Sequence, residues 1–319
     1  MMSGRFGELR IFSGNANRSL AESICGYLGI DIGRADVFKF SNDNTFVRIL
    51  ENVREQDVCI VQPTAYPVND SVMELLIMID AARRASAARV TAVVPHFGYG
   101  RTDKKDQPRV PITARLVADL IGTAGADRVL TVDLHAGQIQ GFFNIPVDEL
   151  TALPMFARYI EEKNLADVVV VAPDIGISKS ARDLATRLGT PLAFVEKRRI
   201  GNKDHVESLN VIGDVNNKMA VTIDDEIDTG GTLVEAISAV TSAGARGVYA
   251  CATHGLLSGD AVTKLQATAQ LKELVLTDTI DIPEQKRASP KVTVLSIAPL
   301  LGEAISRIQS GRSIGALFN

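Results

Sequence analysis

The fold is decided by residues 220–232, which read Ala-Val-Thr-Ile-Asp-Asp-Glu-Ile-Asp-Thr-Gly-Gly-Thr. The apolar start of this stretch, Ala220–Ile223, predicts a buried strand, and the pattern of Thr232–Ala243 predicts a helix. A further run rich in small and β-branched residues, Gly247–Ala252, predicts the next strand. A strand, a helix and a second strand in this order form the unit of a parallel α/β sheet.

The same alternation runs through the rest of the chain. Pro146 and Pro154 bracket polar residues near its middle, so we place a domain boundary near Leu150. The sequence predicts an α/β protein with two similar doubly wound parallel-sheet domains, residues 1–150 and 151–319, and the last residues could pack back on the first domain. Residues Glu196–Asn210 lack apolar periodicity and are predicted to form a mobile loop. The other predicted elements are the strands Val90–Pro95, Val129–Val132, Val168–Ala172 and Leu192–Val195 and the helices Ile112–Ile121 and Ser178–Leu188.

Composition excludes several classes of protein. The chain has 319 residues, 46% of them hydrophobic, which is enough for two buried cores. Its formal net charge of −4 suggests neither a nucleic-acid-binding surface nor an anchor to an anionic membrane. No apolar run approaches the ~18–20 residues of a membrane helix, and the start of the chain has no hydrophobic signal core. Its three cysteines include no CxxC pair. We therefore expect a cytoplasmic protein with no nucleic-acid or membrane partner.

The turn at residues 228–232 has a composition that suits phosphate. Its two glycines and two threonines allow backbone N–H groups and hydroxyls to converge on an anion at a helix N-terminus. Asp224 and Asp225 would repel that anion, and they are better explained as acceptors for vicinal sugar hydroxyls, directly or through a metal ion. A helix cap in a solvated acidic turn explains only part of this pattern. The prediction is a phosphorylated-pentose site formed by Asp224, Asp225, Asp228, Thr229, Gly230, Gly231 and Thr232.

Three histidines follow predicted strands. His96, His135 and His254 stand just past the carboxyl ends of their strands, where open α/β sheets bind ligands. For any one of them, a hydrogen-bonded structural role is an equal alternative. No GxGxxG follows a strand, which argues against a Rossmann dehydrogenase, and the absence of GxxxxGK[ST] argues against a P-loop kinase.

Residues 224–232 closely resemble the binding motif for phosphoribosyl pyrophosphate shared by phosphoribosyltransferases and ribose-phosphate pyrophosphokinases. Further segments resemble signatures of the pyrophosphokinases and occur in the same order. They are Phe40–Asn42, Gly100–Asp106, Asp133–Phe143, Ala172–Asp174 and Glu196–Arg199. The resemblance extends from Arg10 to Phe318 and implies two domains of the phosphoribosyltransferase type.

The resemblance implies a reaction in which the 1-hydroxyl of ribose 5-phosphate attacks the β-phosphorus of Mg-ATP, giving AMP and phosphoribosyl pyrophosphate. It also implies Mg²⁺ as cofactor, inorganic phosphate as an activator, inhibition by ADP, and a homo-oligomer, commonly a hexamer, in which a neighbouring subunit contributes the adenine contacts. The implied residues are Lys197 and Arg199 for catalysis, Phe40, Asn42, Arg101, Asp106 and His135 for ATP, His135 and Asp174 for the metal, and Arg54, Ser86, Arg109 and Ser313 for regulation.

Several positions depart from the family pattern. Asn44 replaces a usual glutamate and Thr102 a usual glutamine, both on the side of the nucleotide. Ile177 and Ser180 replace a glycine and an arginine after Asp174, and Gly315 replaces a serine near the C-terminus. Two alternatives stay open: a regulatory paralogue without turnover, supported by Ile177 and Ser180, and a phosphoribosyltransferase, which leaves the Arg101 and His135 segments unexplained.

Overall fold

The computed structural model describes residues 3–4, 6–199 and 207–317, and at residues 3–4, 197–199 and 207–208 it describes the backbone alone. The chain divides into two compact units. The first unit comprises the chain up to Thr151, Thr279–Asp281 and the residues from Ser296 onward. The second unit comprises Ala152–Asp278 and Ile282–Leu295. The C-terminal helix therefore belongs to the first unit.

Strands and helices alternate along the described residues. The strands are β1 (Ser3–Gly4), β2 (Gly7–Ser13), β3 (Ala35–Lys39), β4 (Thr45–Ile49), β5 (Asp57–Val61), β6 (Arg89–Val94), β7 (Arg128–Val132), β8 (Val147–Leu150), β9 (Val168–Ala172), β10 (Leu192–Arg199), β11 (Glu207–Ile212), β12 (Met219–Ile227), β13 (Gly247–Gly255), β14 (Leu271–Thr277) and β15 (Val292–Leu295). The helices are α1 (Arg18–Leu28), α2 (Val68–Arg84), α3 (Thr113–Ala124), α4 (Leu153–Glu162), α5 (Ser178–Leu188), α6 (Gly231–Ser242), α7 (Ala261–Ala267), α8 (Glu284–Arg287) and α9 (Ala298–Ser310), with 3₁₀ turns at Gly137–Phe142 and Gly315–Leu317.

The first unit is built on a six-stranded sheet in the order β1-β2-β5-β6-β7-β8. Only β1 is antiparallel to its neighbour; the other strands pair in parallel. Every residue of β5 is buried, as expected for a central strand covered on both faces. Strands β3 and β4 form a separate antiparallel hairpin whose apolar residues Val37, Val47 and Ile49 pack against the core.

The second unit is built on a seven-stranded sheet in the order β11-β10-β9-β12-β13-β14-β15. All neighbours pair in parallel except β11, which is antiparallel to β10. The core lies between this sheet and helices such as α6, which buries Leu233, Ala236, Ile237 and Val240. The predicted α/β class with two parallel-sheet units is thus confirmed. None of the helices in the described part of the chain combines the length and apolar character needed to span a membrane.

The predicted elements differ from the structure mainly at their ends. The strand Val168–Ala172 and the helix Ser178–Leu188 were predicted with their observed bounds. Strand β12, however, continues to Ile227, because it stays paired with β13 up to Ile227 opposite Gly255. Asp224 and Asp225 consequently lie in the strand, and the prediction that this strand ends at Ile223 is wrong.

The predicted loop at Glu196–Asn210 is also wrong over much of its length. Strand β10 continues to Arg199 and pairs with β11, with Lys197 opposite Leu209 and Arg199 opposite Glu207. The backbone hydrogen bonds of this hairpin do not depend on apolar alternation, which is why the side-chain pattern did not reveal it. Residues 200–206 lie outside the described residues.

The carboxylate of Glu273, in β14, contacts three side chains from neighbouring parts of the second unit. The hydroxyls of Tyr159 and Thr293 donate to Oε1, and Lys163 Nζ lies 2.8 Å from Oε2. Burial raises the pKa of the Glu273 carboxyl, but the hydrogen bonds from Lys163, Thr293 and Tyr159 outweigh burial and hold that pKa below its ordinary value. The carboxylate form of Glu273 is therefore stabilised by folding.

We expect Glu273→Gln to lower the free energy of unfolding at pH 7 by about 1.5–3 kcal/mol, the range for hydrogen bonds to a charged group. A carboxyl group with a lowered folded pKa stabilises the protein above its unfolded pKa, and this stabilisation is lost as the pH falls through the folded value. The difference from the parent should therefore shrink between about pH 5 and about pH 3 in urea denaturation. A difference that is equal at both pH values would contradict this role. Glu161→Gln, at an exposed position of α4, is the matched control and should behave like the parent.

Candidate active site

The acidic end of β12 is followed, after the short turn at residues 228–230, by the N-terminus of α6. The residue preceding α6 is Gly230, with φ of 74°, and its carbonyl accepts the N–H of Val234 at 3.0 Å. Because a glycine holds the cap position, no side chain of the cap residue competes with an anion for the first N–H groups of α6. Thr229 and Thr232 are exposed on either side of this turn.

The turn before α6 is held by the segment that follows β13. The N–H of Leu257 donates to Ile227 O, and the N–H of Ser258 donates to Asp228 O, each at 3.0 Å. These backbone bonds fix the turn while leaving its hydroxyls exposed. Such a turn is organised before a ligand arrives, which lowers the entropy lost on binding.

Three carboxyl groups meet at the carboxyl ends of the adjacent strands β9 and β12. Burial, the hydrogen bond and charge of Asp225 and the charge of Asp174 together raise the pKa of Asp224 to about 8. The N–H of Asp225 donates to Asp224 Oδ1 at 2.9 Å and opposes this rise only in part. Asp174, just past β9, uses Oδ1 to accept the N–H of Ile177 at 3.2 Å. This edge of the sheet therefore favours a cation or several hydrogen-bond donors.

In the first unit, three of the five residues predicted to contact ATP lie in segments that follow β6 and β7. Arg101 and Asp106 are exposed in the loop after β6, and His135 is exposed just past β7. Asp103, in the same loop as Arg101, is buried and accepts a hydrogen bond from Gln138. A side chain at Gly100 would come within 3.3 Å of His135 Cβ, so the two segments lie against each other.

Four of the five residues that depart from the family pattern lie at three places: the loop after β6, the β3–β4 hairpin and the start of α5. Thr102 donates its hydroxyl to Tyr99 O at 2.8 Å and so helps to form the loop after β6. Asn44 closes the hairpin between β3 and β4, where Phe40 donates its N–H to Asn44 O at 2.9 Å. Ile177 precedes the first residue of α5, and Ser180 lies in its first turn.

The predicted adenine contacts form the tip of the β3–β4 hairpin. Phe40 is 49% exposed and its ring centroid lies 5.3 Å from that of Phe38 and 5.5 Å from that of Phe46. The side chain of Asn42 accepts the N–H of Asn44 at 3.2 Å, which shapes the turn. An exposed aromatic ring supported by two others is a suitable surface for stacking a base.

Two of the three histidines that were predicted to follow the carboxyl end of a strand do so in the structure. His96 follows β6 and is buried, and His135 follows β7. The prediction for His254 is wrong, because β13 continues to Gly255 and His254 is buried opposite Glu226 of β12. For the predicted catalytic pair Lys197 and Arg199, the backbone lies in β10 and the side chains lie outside the described residues.

The predicted regulatory residues are only partly brought together. The N–H of Glu55 donates to Ser86 O at 2.9 Å, which places Arg54 beside Ser86. Arg109 lies in the loop after β6, and Ser313 lies past α9. Among the residues that the structure describes, neither of these makes a hydrogen bond or ion pair with Arg54 or Ser86.

Two further features of the first unit are not marked by any pattern in the sequence. One is a cavity of about 490 Å³ beside Ser313, lined by Arg128, Asp148, Glu149, Arg307 and Arg312 among others. Its residues come from three separate parts of the chain, so no local motif marks it. The other is a buried polar cluster around Glu74, which the Gly14–Asn17 loop after β2 covers.

This fold and the helix N-terminus after an acidic strand define an α/β protein of the phosphoribosyltransferase type. Residues 9–125 match the N-terminal domain of ribose phosphate pyrophosphokinase, and residues 199–319 match a phosphoribosyl synthetase-associated domain. The chain is 53% identical over 312 residues to ribose-phosphate pyrophosphokinase of Rhizobium meliloti strain 1021, covering 98% of this chain and 100% of that relative. The same enzyme of Caldanaerobacter subterraneus is 52% identical over 311 residues, covering 97% and 98%.

A solved structure gives the same result. The crystal structure of phosphoribosylpyrophosphate synthetase from Mycobacterium smegmatis has a TM-score of 0.89 and 44% identity, covering 94% of this chain and 98% of that one. The chain therefore belongs to the ribose-phosphate pyrophosphokinase family, and the predicted family is confirmed.

Proposed function

We propose that this chain is a ribose-phosphate diphosphokinase, an enzyme that transfers the β,γ-diphosphate of ATP to the 1-hydroxyl of ribose 5-phosphate. The products are phosphoribosyl pyrophosphate and AMP. One observation carries the proposal on the side of the sugar: the glycine-capped N-terminus of α6 follows the acidic end of β12 without an intervening element. An anion site and a set of hydroxyl acceptors so close together suit a phosphorylated sugar.

The two parts of this site have different tasks. Thr229, Gly230, Gly231 and Thr232 bind the 5-phosphate through hydroxyls and backbone N–H groups. Asp224 and Asp225 accept the vicinal ribose hydroxyls, and Asp228 belongs to the same turn. The sugar is thereby held in one orientation, and fixing a reactant in this way supplies much of the rate of a bimolecular transfer.

The residues present fit a Mg²⁺ ion. The raised pKa of Asp224, at about 8, arises from burial and from its neighbours Asp225 and Asp174, and a hard cation would relieve this crowding of carboxyl groups. Asp174 is proposed to hold the ion, and His135 to hold either the ion or a phosphate oxygen, as the family resemblance implies. When bound, Mg²⁺ supplies charge neutralisation for the diphosphate.

The nucleotide is proposed to bind to residues of the first unit. Phe40 stacks on adenine and Asn42 contacts its edge, while Arg101, Asp106 and His135 hold the phosphates and ribose. The exposed ring of Phe40 supports this assignment. Since the hairpin of a neighbouring subunit contributes these adenine contacts in the family, we infer a homo-oligomer, with a hexamer expected, working in the cytoplasm.

Regulation is proposed at Arg54, Ser86, Arg109 and Ser313, with inorganic phosphate as the activator. The proximity of Arg54 and Ser86 supports one part of this site. The arginines of the cavity next to Ser313 support an anion there as well.

Release of AMP from ATP, ribose 5-phosphate and Mg²⁺ by the purified protein tests the function. We expect AMP and phosphoribosyl pyrophosphate in equal amounts, and no AMP when ribose 5-phosphate is omitted. A pure, folded protein without turnover would contradict the proposal. It would favour the regulatory paralogue, for which Ile177 and Ser180 at the start of α5 are the specific observation.

A further inference from the structure

Glu74, in the middle of α2, is a buried acidic residue to which the proposed reaction gives no role. Glu74 is only 8% exposed to solvent. Its carboxylate accepts three hydrogen bonds: from Asn15 N at 2.5 Å, from Asn15 Nδ2 at 2.6 Å and from Gln62 Nε2 at 2.8 Å. All three donors are neutral amides. A buried carboxylate is costly unless it is well hydrogen-bonded, so this cluster depends on all of its members.

The cluster fixes the loop that leads from β2 to α1. Gln62 Oε1 accepts the N–H of Ala16 at 3.1 Å, so Gln62 connects Glu74 to the loop a second time. The loop passes so closely that a Cβ at Gly14 would lie 2.3 Å from Gln62 Oε1 and 2.7 Å from Glu74 Oε1. A side chain at this position would displace Gln62 and Glu74. Both the backbone and the side chain of Asn15 are therefore held in place.

Asn15 in turn reaches the strand that leads to the hairpin tip. Its Nδ2 also donates to Val37 O of β3 at 3.3 Å. A second connection runs parallel to this one, because Asp70, one turn before Glu74 on α2, lies 2.9 Å from Lys39 Nζ. Both connections end on β3, two residues apart, directly before Phe40.

We propose that Glu74 is a positioning residue for the nucleotide. By holding Asn15, and together with the Asp70–Lys39 pair, it sets where the hairpin tip with Phe40 and Asn42 lies relative to α2. This inference rests on the proposed contacts of that tip with adenine.

The variant Glu74→Gln disturbs this connection with the smallest change in volume. One carboxylate oxygen becomes an amide group that donates and cannot accept. If the remaining side-chain oxygen still accepts the hydrogen bonds from Asn15 N and Gln62 Nε2, the new NH₂ group faces Asn15 Nδ2. Two hydrogen-bond donors then face each other. Asn15 must then turn its own oxygen inward, and its bond to Val37 O is lost.

We expect Glu74→Gln to raise the KM for ATP about tenfold, the effect of one lost hydrogen bond. The value of kcat and the KM for ribose 5-phosphate should stay within about twofold of the parent. Asn15→Ala, which keeps Glu74 and removes the bond to Val37 O, should act in the same direction. Glu22→Gln, at the exposed Arg18–Glu22 pair of α1, is the matched control and should leave all three constants unchanged.

Calorimetric binding of a non-hydrolysable ATP analogue separates this inference from the proposed function. A parent that binds the analogue without turnover would contradict the function, while weaker binding by Glu74→Gln would still support the positioning role. A Glu74→Gln variant with the parent's KM and Kd for the nucleotide, or one that only unfolds at lower urea concentration, would overturn it. A parent that neither binds nor turns over would overturn both.

Discussion

Replacing Asp57 with alanine is expected to lower the free energy of unfolding by about 3–5 kcal/mol, because it leaves a buried guanidinium without its partner. Asp57 and Arg89 stand opposite each other at the start of β5 and β6. Their side chains are 1% and 12% exposed. Arg89 Nε donates to Asp57 Oδ1 at 2.9 Å, and Arg89 Nη2 donates to Asp57 Oδ2.

Two further contacts hold the Arg89 guanidinium in place when Asp57 is removed. It also donates to Ile308 O of α9 at 3.3 Å and lies 4.5 Å above the centroid of the Phe6 ring. The guanidinium therefore loses its negative partner and gains little contact with water in exchange. The C-terminal end of α9 should loosen together with this pair.

Urea denaturation followed by far-UV circular dichroism measures this effect. Asp80→Ala, which breaks the exposed Arg84–Asp80 pair on α2, is the matched control and should unfold at nearly the parent's urea concentration. The double variant Asp57→Leu with Arg89→Met should recover most of the stability, because an apolar pair carries no desolvation penalty. A single Asp57→Ala variant as stable as Asp80→Ala would show that the buried pair does not stabilise the fold.

The fold was predictable where local pattern and tertiary environment agree. The four consecutive valines at Val168–Val171 predict a strand buried on both faces, and β9 is such a strand. The amphipathic segment Ser178–Leu188 ends at Gly189, whose φ of 62° suits a helix C-terminus, and α5 has these bounds.

The fold was not predictable where pairing overrides propensity. Aspartate and glutamate are depleted in strands, so the run from Asp224 to Glu226 argues for a turn. In the structure, β13 runs beside it and supplies backbone partners up to Gly255. The charged residues at the end of β10 likewise argue against a strand. Their partner strand, β11, lies further along the chain, so the local pattern does not reveal the pairing.

The candidate site was predictable where it is local in sequence. The turn before α6 is contiguous, and its glycines and threonines mark it directly. The cluster of Glu74, Asn15 and Gln62 carries no such mark, because Glu74 stands 59 residues from Asn15 and 12 from Gln62. Only the packing of α2 against the loop after β2 brings them together.

The catalytic prediction concerns Lys197, which the family resemblance identifies together with Arg199. The two residues lie two positions apart in β10, whose hairpin with β11 gives this segment a fixed backbone on both sides of residues 200–206. Charge that develops on the transferred diphosphate requires fixed cations, and removing one such group typically costs two or more orders of magnitude in rate. We therefore expect Lys197→Ala to lower kcat by roughly 10²-fold or more.

The changes in kcat and KM distinguish a catalytic role of Lys197 from a role in substrate binding. An interaction made only in the transition state lowers kcat and kcat/KM equally, so the KM values for ATP and ribose 5-phosphate should change little. Arg198→Ala is the matched control, because it removes a positive charge from the position between the two predicted catalytic residues. Steady-state release of AMP gives kcat and the KM values, and single-turnover release of AMP isolates the chemical step. A Lys197→Ala enzyme with the parent's kcat, or one no slower than Arg198→Ala, would refute the catalytic role of Lys197.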